Sequence, residues 1–295
     1  MADVKKVTFR GWKNCLELTS GKFKIIATTE IGPRIIGGFL GDSENIFYVD
    51  EASAGKKGGD EWVGYGGHRL WHSPEAFPRT YTLDNSPVDY EIKKNSVIFR
   101  QKADERAGIE KSIEIIPGKK ETFQVVHTLT NRNAWAIECS AWALSMMAPG
   151  GIGILPMPQG NKKALLPNTY LTLWPYNDMA DGRCVIGSKY TTVRHDVSIK
   201  NPLKIGYNCE DGWIAYQVHG VTFIKKFNHM VDGDYPDNGC SVECYTCPAF
   251  QEMETLSPLY DLEPGETITF TEEWHALDLQ SPVITSEKDA IEVFG

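Results

Sequence analysis

The feature that most restricts this chain is its rhythm: short runs of alternating apolar and polar residues, broken at intervals by glycine, proline or asparagine. The run 122–130 is the clearest. Phe123, Val125, His127 and Leu129 fall on one face, and Thr122, Gln124, Val126, Thr128 and Thr130 on the other, the period of two that a strand imposes. With residues 109–116 before it and Pro117-Gly118-Lys119-Lys120 between, it predicts a hairpin. His127, on the apolar face, reads as a core histidine. A second hairpin is predicted for 213–218 and 221–227 around His219-Gly220, and 267–275 alternates with Ile268, Phe270 and Trp274 on one side. More than a dozen such strands and no βαβ rhythm predict an all-β fold, a large antiparallel β-sandwich. No stretch of the sequence reads as a linker, so residues 1–295 are expected to form one domain.

Composition narrows the function classes. The net charge of -9 opposes nucleic-acid binding, which needs clustered Lys and Arg against phosphates. No apolar run has the length of a membrane span, and the N-terminal residues lack the apolar core of a signal peptide. Seven cysteines, an odd number, do not read as a disulfide framework, so a reduced, soluble, cytoplasmic protein is expected. The segment 240–247 has cysteines spaced as in iron–sulfur enzymes. However, strand parity puts Cys247 opposite Cys240 and Cys244, so these read as packing residues, and no metal or other cofactor is expected.

Two stretches carry candidate chemistry. Residues 66–75, Gly-Gly-His-Arg-Leu-Trp-His-Ser-Pro-Glu, gather His68, Arg69, Trp71, His72 and Glu75 behind a glycine pair. Glycine permits tight turns, and the Ser-Pro step disfavours helix, so a loop or strand end is expected. The competing reading is packing, with Arg69 paired to Glu75. The second stretch holds Glu252 and Glu254, which share a strand face with Phe250 and Leu256, while Glu243 shares one with Tyr245. Among apolar neighbours a carboxylate loses hydration, its pKa rises, and it becomes a usable acid or base near neutrality. On an exposed strand it would simply stay wet.

The runs Glu252-Met253-Glu254-Thr255-Leu256-Ser257-Pro258 and Leu262-Glu263-Pro264-Gly265-Glu266, with Glu273-Trp274-His275 after them, resemble the C-terminal end of the galactose mutarotase (aldose 1-epimerase) superfamily. So do Gly32-Pro33-Arg34-Ile35-Ile36-Gly37-Gly38 and Thr128-Leu129-Thr130-Asn131. The 66–75 stretch is similar to a bacterial branch of that superfamily distinct from the authentic epimerases. The resemblance implies a supersandwich whose concave sheet holds a small-molecule carbohydrate. It also implies a glutamate that takes the anomeric proton and a histidine that protonates the ring oxygen. The base best matches Glu254, with Glu252 and Glu243 open; the acid is His68 or His72. Arg69, Arg34, Glu75 and Trp71 make the expected sugar-binding set, with Trp62, Tyr65 and Trp174 as further stacking candidates. A His-Pro step that the epimerases carry past mid-chain is missing here. An isomerase is therefore the leading expectation. A sugar-binding protein without turnover, or a lyase or glycoside hydrolase on the same scaffold, are the alternatives. The sequence leaves the oligomeric state open.

Overall fold

The computed structural model describes residues 4–278 and 283–295. Two antiparallel sheets, of eleven and ten strands, pack face to face. The middle of the first runs, in spatial order, Arg34–Leu40, Gly67–Ser73, Ile137–Met147, Gln251–Leu256, Val242–Thr246, Leu203–Tyr207. The middle of the second runs Trp213–Val218, Val221–Phe227, Thr267–Asp278, Thr122–Asn131, Ile109–Pro117. The expected β-sandwich is thus present. Among the described residues, Glu287–Phe294 is the one helix longer than a single turn.

Alternation explains how the sheets meet. Phe123, Val125 and Leu129 from one strand, and Ile268, Phe270 and Trp274 from its neighbour, are buried in the layer between the sheets. Both predicted hairpins form. The second turns on His219 and Gly220, each at positive φ (53° and 75°), the backbone that a two-residue hairpin turn of matching twist requires.

The stretch 66–75 departs from expectation. Gly67–Ser73 is a strand, buried at every position and bonded on both sides, to Arg34–Leu40 and Ile137–Met147. The glycines serve packing rather than flexibility. A β-carbon on Gly66 would collide with the Tyr48 carbonyl oxygen, and one on Gly67 with that of Ile35. The backbones can approach so closely only without side chains there.

The interior also holds a polar hub. The Lys225 ammonium sits 2.9 Å from Glu272 Oε1 and donates across to the first sheet, to the carbonyls of Ala143 (3.0 Å) and Met253 (3.1 Å). Glu272 accepts in addition from Trp274 Nε1 at 2.7 Å and from the Thr255 hydroxyl. Burial pulls the Lys225 pKa down, against the pull of Glu272. A buried ion pair is tolerated only when its remaining donors and acceptors are filled, as they are here.

Candidate functional site

Strand parity decides what faces outward from the first sheet. In Gly67–Ser73, Arg69 and Trp71 point away from the second sheet and His68 and His72 towards it. On the neighbouring strands Trp142, Leu144 and Met146, then Glu252, then Tyr245 and Lys204 join the outward face. Together with loops carrying Trp62, Glu75, Tyr81, Trp174 and Tyr176, they line a cleft of about 460 Å³. That volume and the aromatic lining with few polar groups suit a small-molecule site.

One wall is a ring cluster. Trp71 lies 5.7 Å from Trp62, 5.0 Å from Tyr81 and 5.5 Å from Trp142, centre to centre. The Arg69 guanidinium stacks on this wall, 4.2 Å from the Trp71 ring centre, and reaches Glu252 Oε1 at 3.1 Å. Arg69 therefore pairs with Glu252, not with Glu75. Glu75 sits on the exposed lip, where it accepts a hydrogen bond from the Tyr81 hydroxyl. Burial pushes the Glu252 carboxyl up to about 7; Arg69 opposes the rise and nearby Glu254 adds to it. Glu252 is thus a group that can both take and give a proton near neutrality.

On the same outward face lies a lysine held by two carboxylates. Lys204 Nζ is 2.6 Å from Glu243 Oε2 and 3.0 Å from Glu254 Oε2, and 4.7 Å from the ring centres of both Trp142 and Trp174. Trp142 Nε1 donates to Glu254 Oε2 at 2.7 Å. Burial alone would lower the Lys204 pKa, but the two carboxylates outweigh it and hold the ammonium charged. Glu243 is completely buried. Glu243 and Glu254 share the outward face of Glu252 but have no exposed surface, so they fix Lys204 and Trp142 while Glu252 reaches the cleft.

The two histidines expected to face a glutamate across one hollow lie on the opposite side of the sheet. His127 Nδ1 donates to the Phe270 carbonyl at 3.1 Å, which leaves its Nε2 to accept from His68 Nε2 at 2.7 Å. His68 Nδ1 then accepts from the Ser145 hydroxyl at 2.9 Å. His68, His127 and Glu272 bring metal-ligating atoms within 4.8 Å of one another. Their lone pairs and protons are already matched, and the Lys225 ammonium sits beside them. Burial first, and then neighbouring cationic groups, keep His68 neutral, its pKa well below the usual histidine value. His72 is lowered to about 3 by burial and by Lys111 and Arg79, and neither ring nitrogen has a partner. Both imidazoles are separated from Glu252 by the sheet itself.

Arg34 is likewise not in the cleft. It is 1% exposed, paired with Asp84, and donates to the Gly66 carbonyl at 2.6 Å, so it anchors the loop that brings Trp62 to the rim. Tyr65 is buried against Trp12. Lys204, Tyr176 and the wall formed by Trp142 escaped the sequence reading. A lysine inside the apolar strand Leu203–Tyr207 was the available signal.

No family model matches the chain, and no curated protein does. Solved structures do match. A galactose mutarotase-like protein from Lactobacillus casei ATCC 334 superposes with a TM-score of 0.58 over 90% of this chain and 100% of its own, at 9% identity. A putative aldose 1-epimerase from Escherichia coli K12 gives 0.55 over 89% and 98%, at 12% identity. The fold is galactose mutarotase-like. A TPR-domain containing protein from Parabacteroides distasonis ATCC 8503 matches with a TM-score of 0.59 at 13% identity over 92% of this chain, which spans 48% of that protein's length. At these identities the likeness is one of mutarotase-like architecture. The motifs at 32–38, 128–131 and 252–266 had pointed to the same architecture.

Proposed function

We propose that the cleft binds a carbohydrate and that the protein processes it in the manner of an aldose epimerase, with Glu252 as the proton-transferring group. The observation that carries this reading is a carboxyl poised at about 7 inside a cleft walled by indole and phenol rings. Ring faces suit the C–H surfaces of a sugar, and the Arg69 fork suits its hydroxyls. As carboxylate, Glu252 takes the proton of the anomeric hydroxyl. As carboxylic acid, it returns that proton to the ring oxygen while the bond from that oxygen to the anomeric carbon breaks. Rotation of the freed carbonyl and reversal of the same steps give the other anomer. Both oxygens belong to one carbon of the sugar, so a single carboxyl group can serve them in turn. This assignment replaces the histidine acid of the sequence expectation, because among the described residues no histidine lines the cleft.

That same lack of an imidazole favours a second reading, sugar binding without turnover. Calorimetry against a panel of mono- and oligosaccharides, with polarimetry of freshly dissolved pure anomers, separates the two. Saturable binding with accelerated anomer exchange is the expected result. Binding at an unaccelerated rate would select the second reading, and no binding across the panel would end both.

A further inference from the structure

Resting on the carbohydrate reading, we infer that the cleft takes an oligosaccharide, at least two linked sugar rings lying across the strands, rather than one free sugar. The register supplies the layout. Met146 lies beside Glu252, Glu252 beside Tyr245, and Tyr245 beside Lys204, on consecutive strands and on one face. Arg69 and Trp71 extend this floor by one more strand, since Gly67 is paired with Met146. From the arginine strand to the lysine strand there are four inter-strand gaps, roughly 19 Å. A pyranose ring covers little more than one such gap.

Ring groups stand on two sides of this floor, with the Trp71 and Trp174 centres at most about 15 Å apart by way of Trp142 and the Lys204 ammonium. At the arginine end Trp62, Trp71 and Tyr81 touch one another. At the lysine end Trp174 is held over the Lys204 ammonium at 4.7 Å, and Tyr176 meets Tyr245 edge-on at 6.4 Å. Trp142 bridges them, 5.5 Å from Trp71 and 4.7 Å from the Lys204 ammonium. Glu252 projects from the middle strand of the five. A single ring on the half-buried Trp62 and Tyr81 leaves the Trp174 platform empty; a chain of sugars uses both. The cleft volume of about 460 Å³ accords with the longer ligand.

Calorimetry with mono-, di- and trisaccharides of glucose, galactose, mannose and N-acetylglucosamine tests this. For the sugar type that binds, the trisaccharide is expected to bind roughly tenfold or more tightly than its monosaccharide, the worth of one added aromatic platform. Trp174→Ala is expected to cost the trisaccharide more than the monosaccharide, so that the ratio collapses towards one, and Trp174→Phe to restore it in part. Equal affinities for one, two and three rings would overturn the inference while leaving the carbohydrate reading in place. Binding of no saccharide of any length would overturn that reading and the inference with it.

Discussion

Replacing Glu252 with glutamine is expected to slow catalysed anomer exchange by roughly 100-fold or more, the range in which general acid–base groups contribute. Glutamine keeps the shape of the side chain and its reach to Arg69, but can no longer carry a proton. Sugar affinity should therefore change far less than the rate. The pH dependence follows from the same carboxyl. Its folded value of about 7 lies above the ordinary 4.5, so the basic form is scarce below neutrality. The rate should rise through pH 7 and level off above it, and this limb should vanish in the variant. Stability carries the reverse sign. A raised carboxyl pKa disfavours the folded state once pH passes the unfolded value, so wild type should lose about 3 kcal/mol relative to Glu252→Gln between pH 4.5 and pH 8. Polarimetry across pH, with denaturant unfolding of both proteins, checks all three. Full activity in the variant would remove Glu252 from the chemistry.

The second large effect concerns the hub between the sheets. Lys225→Met should destabilise the fold by about 3–5 kcal/mol, because it leaves the Glu272 carboxylate buried without its cation and removes the ammonium's bonds to two first-sheet carbonyls. Adding Glu272→Gln should recover much of that loss, since the uncompensated charge and not the missing contact dominates. Guanidinium unfolding of the two variants measures both. A single variant within about 1 kcal/mol of wild type would mean that the Lys225–Glu272 pair contributes little to the stability of the fold.

Much of the architecture was legible in the residues. The alternation at 122–130 and 267–275 gave strands and faces, though not that the two strands pair, and the shared face of Glu252 and Glu254 was read correctly from the same period. The error at 66–75 came from local signals outweighing that period. A glycine pair and a Ser-Pro step suggested a loop, whereas the segment is a central strand whose glycines make room for the Tyr48 and Ile35 backbone. Once it is a strand, adjacent His68 and Arg69 must face opposite ways, and only one of them can share a cleft with Glu252. The partners of Lys204 and Lys225 were out of reach for another reason. Each lysine owes its charge to carboxylates from other strands, Glu243 and Glu254 for one and Glu272 for the other. Only the order of strands in the sheets reveals those pairings.

A crystal soaked with a saccharide that binds in solution tests the central claim most directly. A sugar ring should lie against the half-buried Trp62 and Tyr81 rings, with a hydroxyl within hydrogen-bonding distance of Glu252 and another within reach of Arg69. A sugar seated elsewhere on the molecule, with the Arg69–Glu252 cleft untouched at saturation, would contradict it.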